Sequence, residues 1–357
     1  MTQSNPDNAA STCRPGEAVP VSRYTAVEAP HNAGGSATRT PARRLGRWVS
    51  AEEALQAVKS GDTVVLGHCC GEAQTLIGAL VARAPELHDV RIVSVLVMGE
   101  AAFVRPEYAG IFRHVSLFAG GKTRAAINAG RADFMPCFFN QVPYLLGTHI
   151  PVDVALVTVS APDERGYCSL GVAVDYTKRA VEVASIVIAE INPSMPRIPG
   201  DCMVHLSDID YLVESHRPII EVPRAVAAED ERLAGENVAA LIDDGDTVQV
   251  GIGAMPEVVC CRLTDRRDLG IHTEMVSDGI MDLVESGAAT GALKTLHPGK
   301  VIATFVMGTR KLYDWLHDNP VMEMHPVSYT NDPSVISRNR RMVAINGALE
   351  VDLLGQV

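Results

Sequence analysis

Lys59-Ser-Gly-Asp-Thr-Val-Val-Leu-Gly67 and Asp243-Asp-Gly-Asp-Thr-Val-Gln-Val-Gly251 are two copies of one pattern, matched position by position at a constant spacing of 184 residues. In each copy a Gly-Asp pair makes a turn, a short Thr/Val-rich run follows, and a glycine ends the run. The pattern reads as helix end, tight turn, buried strand and the start of a second helix, the unit of a parallel α/β sheet. Further on, Val154-Ala-Leu with Asp163 and Gly166 is matched by Val343-Ala-Ile with Asp352 and Gly355, now at a spacing of 189. Two matches in the same order point to an internal duplication. The long period suits two tandem α/β domains rather than a solenoid, whose repeats run to about 20–50 residues.

Working outward, short Val/Ile-rich runs at 90–98, 152–160 and 186–191 alternate with helix-length segments. That alternation predicts largely parallel sheets covered by helices. Pro223 and the alanine-rich stretch after it set a boundary, giving domains at 46–224 and 225–357. Residues 1–45 are rich in Ala, Ser, Thr, Pro, Asn and Gly without periodicity and are expected to be a disordered extension. Arg14, Arg23, Arg39, Arg43 and Arg44 would suit a transit peptide, but Asp7, Glu17 and Glu28 break its acid-poor pattern. The second copy is shorter than the first and stops just after Asp352-Leu-Leu-Gly355, in an apolar segment. The expectation is a truncated second domain, short by roughly fifty residues of normal domain anatomy.

Of the 357 residues, 31 are basic and 43 acidic, a net charge of −12, which argues against a nucleic-acid binder. A small anionic ligand in a local positive pocket is not excluded. The longest apolar runs are strand-length, well below the roughly 18 residues of a membrane span. The first 20 residues lack the apolar core of a secretory signal. Eight cysteines include two adjacent pairs, Cys69–Cys70 and Cys260–Cys261, and no C-x-x-C. Reduced thiols in a cytoplasmic protein are the expectation.

The segment Gly251-Ile-Gly-Ala-Met-Pro256 follows a strand expected at 246–250 and opens a helix expected at 257–263. Glycines there let a ligand approach the backbone, and a helix N-terminus offers free N–H groups to a phosphate or an oxyanion. A plain strand-to-helix turn has the same signature. Some twenty residues on stands Gly270-Ile-His-Thr-Glu-Met-Val-Ser-Asp-Gly279. Together the two segments also fit a dinucleotide site with Glu274 on a ribose hydroxyl, although Pro256 occupies the third glycine position. Alternatively Glu274 is a nucleophile: a carboxylate can attack a thioester, expel the thiolate, and be attacked in turn to leave a glutamyl thioester. Backbone donors would hold the developing oxyanion, and no metal is needed. A solvated or salt-bridged glutamate is the ordinary reading of such a residue.

These segments make the chain recognisable. It resembles the acetyl-CoA hydrolase/transferase family (family I CoA-transferases), and is most similar to its 4-hydroxybutyrate CoA-transferase branch. The resemblance rests on Ser60-Gly-Asp-Thr-Val64, Gly67-His-Cys69, Phe138-Phe-Asn-Gln-Val-Pro143, Ser160-Ala-Pro-Asp-Glu-Arg-Gly-Tyr-Cys168 and Val174-Asp-Tyr-Thr177. It continues through 251–256, 270–279, 305–314, Tyr329-Thr-Asn-Asp-Pro333 and 345–355, covering about residue 47 to the end. It implies two CoA-transferase-like α/β domains of the NagB/RpiA-like type with the active site between them. It implies ping-pong exchange of CoA between a short-chain acyl-CoA and a free carboxylate through a glutamyl-CoA thioester on Glu274. Gly251, Ile252, Gly253, Ala254 and Met255 would contact CoA, Asn346 to Leu349 would line the site with Leu349 the best-matched position, and Asn331 would help hold the thioester oxygen. Coenzyme A and acyl-CoA enter as substrates, with no permanently bound cofactor, and a homodimer is compatible. Relatives continue past the segment at Gly355 into a glycine-rich loop that completes the pocket, which puts activity here in doubt. Acetyl-CoA hydrolysis, or a degenerate CoA- or nucleotide-binding protein, are the alternatives.

Other residues carry a weaker signal. His272 and His68 could act as acid or base, but packing or hydrogen bonding is the expected role because the chemistry needs no proton shuttle. His68-Cys-Cys70 lacks a second cluster at zinc spacing, so no metal is expected. Lys294, Lys300, Arg310 and Lys311 could meet CoA phosphates, with a solvated surface as the default. Phe138, Phe139 and Met307 could shape an acyl pocket or simply belong to the core.

Overall fold

A computed structural model describes residues 45–348 and 350–356; the extension expected at 1–45 therefore lies outside the described residues except for Leu45. Eight parallel strands form the first sheet, in the order Arg47–Trp48, Tyr211–Glu214, Ile186–Ile191, Val154–Val159, Thr63–Leu66, Val90–Ser94, Phe112–Ser116 and Ala132–Phe134. Five parallel strands form the second: Met322–Met324, Val301–Ala303, Gly270–His272, Thr247–Val250 and Met342–Ile345. Every residue of Thr63–Leu66 and of Val154–Val159 is buried, so these strands are covered on both faces and show no alternation of burial.

The two sheets share one topology. Thr63–Leu66 lies between Val154–Val159 and Val90–Ser94, and Thr247–Val250 lies between Met342–Ile345 and Gly270–His272. Two further strands follow in the same order on each side: Phe112–Ser116 then Ala132–Phe134, and Val301–Ala303 then Met322–Met324. Even the turn chemistry repeats. Gly61 and Gly245 both hold positive φ (86° and 78°). Behind them Asp62 accepts the Lys59 N–H at 2.7 Å and Asp246 accepts the Asp243 N–H at 2.8 Å. Only glycine takes that φ without strain, and an aspartate three residues on closes the turn, so the Gly-Asp pair is required twice.

Two backbone seams join the halves. Residues 172–175 meet 304–306, with Val174 and Asp175 donating to the Thr304 carbonyl and Val306 donating to that of Val172. At the second seam Gly200 (φ 131°) bridges to Met324, and a Cβ on Gly200 would stand 2.1 Å from the Met324 oxygen. One continuous apolar core runs across both sheets, from Val65 and Val157 to Phe305, Met324 and Ile345. A second cluster, built on Leu55, Leu76, Leu80 and Phe103, covers the far face of the first sheet beneath the helices Ala51–Leu55 and Gln74–Ala82. Residues 215–228 are an extended connection held along the second half, where Val222 donates to the Gly308 carbonyl and the Tyr313 hydroxyl to that of Ile220. Among the described residues no helix is long and apolar enough to cross a membrane.

Candidate active site

Glu274 stands at a break between two short strands, Gly270–His272 and Met275–Val276. Its carbonyl accepts the N–H groups of Thr304 (3.0 Å) and Phe305 (3.2 Å), which anchors the break to the seam between the halves. The neighbouring Thr273 side chain turns inward, donating to the Val250 carbonyl at 3.1 Å and accepting the Val250 N–H at 3.2 Å. Asn331 follows the short helix Val327–Thr330, and its N–H caps that helix at the Val327 carbonyl (3.0 Å). Asp332 then caps the next helix through the Ser334 N–H at 2.7 Å, so the Asn331 backbone is fixed from both sides. From there the Asn331 amide donates to Oε2 of Glu274. Burial pushes the Glu274 carboxyl above its ordinary value; the Asn331 amide and the nearby His68 pull it down, and Asp175 adds a smaller upward push.

Glu274 is the meeting point of two cavities. One, of about 250 Å³, lies within the second half and is lined by His272, Thr273, Thr330, Asn331, Gln249 and Asn346. The facing amides of Gln249 and Asn346 exchange two hydrogen bonds, at 3.2 and 3.1 Å. The other, of about 270 Å³, opens toward the first half, where Val95, Leu117, Phe139, Val142 and Phe305 make it largely apolar. His68 is the polar exception in that wall. It is buried, 2.9 Å from Asp175 through Nδ1, and surrounded by Phe305, Phe139 and Tyr176 with ring centroids 4.9, 5.3 and 5.6 Å away. Asp175 is fully buried, and its carbonyl accepts the Val327 N–H at the start of the helix that carries Asn331. One buried pair thus touches both walls of the site.

The 251–255 turn departs from expectation in two ways. Its helix is Ala254–Arg262, beginning three residues before the expected 257. Pro256 is tolerated because N–H groups of the first turn have no intrahelical acceptor, so nothing is lost there. Gly251 donates its N–H to the Ile345 carbonyl at 2.8 Å, so that group is a sheet donor and not free for a ligand. Among the described residues the N–H groups of Ile252, Gly253 and Ala254 have no protein acceptor. Ile252 is half exposed and lines the apolar cavity together with Glu274. With Gly253 it also lines a third recess of about 120 Å³ beside Met307, Val222 and Asp278. Ala254 and Met255 line none of these cavities, and Leu349 lies outside the described residues.

Of the remaining candidates, His272 is buried, its Nε2 lies 2.8 Å from the Thr330 carbonyl, and burial pushes its pKa down to about 4. It lines the polar cavity as a neutral imidazole. Phe139 lines the apolar cavity, whereas Phe138 is three-quarters exposed and Met307 faces the third recess. Each of the four basic residues has a protein partner. Lys294 is buried and donates to the carbonyls of Ile271 and Lys300 (2.7 Å each), with its pKa pushed down to about 7 by burial. Lys300 donates to the Pro320 carbonyl, Arg310 pairs with Asp314 and Lys311 with Glu285. Asp175 and Gln249 were not singled out from sequence. A 107-residue separation hides the His68–Asp175 pair, while Gln249 could have been found as the polar residue interrupting an apolar strand.

Comparison with known proteins accords with this geometry. The acetyl-CoA hydrolase/transferase N-terminal domain matches residues 42–223 and the C-terminal domain of the same family matches 308–357. The chain is 48% identical over 312 residues to a 4-hydroxybutyrate coenzyme A transferase of Clostridium kluyveri, covering 87% of this chain and 73% of that one. Among solved structures, RipA from Yersinia pestis superposes with a TM-score of 0.83 at 36% identity, covering 86% of this chain and 74% of RipA. A 4-hydroxybutyrate CoA-transferase from Porphyromonas gingivalis gives 0.75 at 39%, with the same coverage. The duplicated parallel α/β fold, with a lone glutamate at the junction of two cavities, thus belongs to a member of the acetyl-CoA hydrolase/transferase family.

Proposed function

We propose that the protein is a CoA-transferase that moves coenzyme A between a short-chain acyl-CoA and a free carboxylate by a ping-pong route through Glu274. The observation that carries this reading is the position of that carboxylate, which lines both an apolar cavity and a polar one. An acyl group of a few carbons fits the apolar side, against Phe139, Val142 and Phe305. Acetyl, butyryl and 4-hydroxybutyryl groups all suit it.

The Glu274 carboxylate attacks the thioester carbonyl and CoA leaves as its thiolate, giving an acyl–glutamyl anhydride. The thiolate attacks the glutamyl carbonyl of the anhydride, releasing the acid as carboxylate and leaving a glutamyl-CoA thioester. A second carboxylate reverses both steps and departs as the new acyl-CoA. Each step exchanges one activated acyl group for another, so no proton shuttle is called for. Asn331 positions the carboxylate and is placed to donate to the oxyanion that forms on it. The free N–H groups at 252–254 would face the CoA side, and Leu349 is assigned to the same pocket by family resemblance alone. In this reading residues 46–224 and 225–357 are the two duplicated domains. The protein works in the cytoplasm without a permanent cofactor and is compatible with a homodimer.

The test is an initial-rate study of the full chain with acetyl-CoA and a panel of acids, including butyrate and 4-hydroxybutyrate, following the new acyl-CoA. Parallel double-reciprocal lines are expected. Intersecting lines would contradict the covalent route, and free CoA released without an acceptor acid would mark a hydrolase.

A further inference from the structure

At the outer edge of the second sheet, three side chains converge that take no part in the site above. Glu323 lies on the edge strand Met322–Met324, His325 directly follows it, and His297 arrives from the loop before Val301–Ala303. Oε1 of Glu323 is 3.0 Å from Nε2 of His325 and 3.5 Å from Nδ1 of His297. All three donor atoms lie within 4.8 Å of one another. None of the three residues lines either cavity that Glu274 shares.

We propose that His297, Glu323 and His325 form a binding site for a divalent cation of the zinc class. Two imidazoles and one carboxylate are a donor set that suits such an ion, with bonds of about 2.0–2.2 Å. Tetrahedral geometry at those lengths sets ligand–ligand edges of about 3.3–3.6 Å. The two edges to Glu323, at 3.0 and 3.5 Å, lie close to that range, and the edge between the histidines is no longer than 4.8 Å. The side chains are 23%, 26% and 14% exposed, which leaves one side open for a water as fourth ligand.

The surroundings favour ligation in two further ways. Nε2 of His297 lies 2.6 Å from the Tyr329 hydroxyl. With Nε2–H donating to that oxygen, Nδ1 presents its lone pair to the cluster, the outer contact that ligating histidines ordinarily make. His297 is also held at positive φ (50°), a conformation its surroundings must impose. Lys294, the buried cation that interacts with Glu323, directs its Nζ to the carbonyls of Ile271 and Lys300. Tyr329 belongs to the same short helix as Thr330, whose carbonyl faces His272, and precedes Asn331 by two residues. An ion at this site would therefore brace the helix that holds Asn331. The proposal does not depend on the transferase reading.

The test uses the full chain, stripped with a chelator and titrated with Zn2+ alone. One equivalent is expected to bind. At a hundredfold excess over Kd the thermal midpoint should rise by roughly 4 °C for a chain of this size. His297→Gln and Glu323→Gln should each abolish both effects. X-ray absorption on the zinc-loaded wild type should show imidazole nitrogen and carboxylate oxygen. Failure to bind, binding unchanged in both variants, or sulfur in the coordination shell (Cys261 is exposed) would overturn the proposal. Should a variant misfold, the absorption spectrum of the wild type decides alone.

Discussion

Replacing Asn331 with alanine separates the two roles proposed for it, and the structure says what each should do. In the resting site its amide donates to Oε2 of a carboxylate whose pKa burial has already raised. A hydrogen bond to a charged group is worth about 1.5–3 kcal/mol, and a donor aimed at a developing oxyanion about as much or more. Because the carboxylate must be ionised to attack, loss of the amide moves the acid limb of the kcat/KM profile to higher pH. If the donor also follows the charge onto the oxyanion, the plateau falls as well, by about 10- to 100-fold at 1.4 kcal/mol per decade. Asn331→Asp should be worse, since a second carboxylate beside Glu274 pushes its pKa up further. The assay is acyl-CoA exchange across the pH range, with circular dichroism confirming the fold. A plateau that drops with an unmoved acid limb would assign Asn331 to the oxyanion alone. An unchanged profile in both variants would show that the Asn331 amide does not act on Glu274.

Three further outcomes are expected. Gly251→Ala places a Cβ 2.9 Å from the Ile345 carbonyl oxygen, a backbone atom that cannot swing aside. It should destabilise by about 1–3 kcal/mol and slow transfer, and an unchanged urea midpoint would contradict it. His114 and His272 are buried and neutral, each with its pKa pushed from 6.5 to about 4 by burial. A lowered histidine pKa gives stability that is complete above 6.5 and lost as pH falls toward 4, up to about 3 kcal/mol each. Glu72, pushed up to about 7 by burial, acts in the opposite sense. The measurement is therefore the difference in urea midpoint between wild type and His114→Gln, which should vary between pH 7 and 4.5; a constant difference would count against it. Phe305→Ala removes a buried ring between His68 and the core, costing about 3–5 kcal/mol and widening the apolar cavity. It should shift kcat/KM toward longer acyl groups, and an unaltered ratio of hexanoyl to acetyl would argue against that cavity as the acyl site.

Much of the fold is legible because the Gly-Asp turn is a local device. Positive φ at Gly61 and Gly245, and the aspartates that close each turn, are needed wherever the unit recurs, so they survive in sequence. Glu274 and Asn331 each stand within a recognisable segment, and the fold brings them together across 57 residues. What stayed hidden depends on contacts between distant segments. The His68–Asp175 pair and the His297–Glu323–His325 cluster exist only once the sheets are assembled. Lys294 was misread as surface because charge in sequence says nothing about the aliphatic stem. Its Cγ would be 2.3 Å from any Cβ on Gly270, so the missing side chain there is what lets the lysine stem lie inside. The helix expected from 257 begins at Ala254, because Pro256 fits within the first turn, where its missing N–H costs no hydrogen bond.

The decisive measurement is peptide mass spectrometry on the full chain incubated with acetyl-CoA and no acceptor acid, with and without borohydride before digestion. A nucleophilic Glu274 should carry a CoA thioester, converted by borohydride to the alcohol, with none in Glu274→Gln. A chain that turns over with Glu274 unmodified, or with the adduct on another residue, would contradict it.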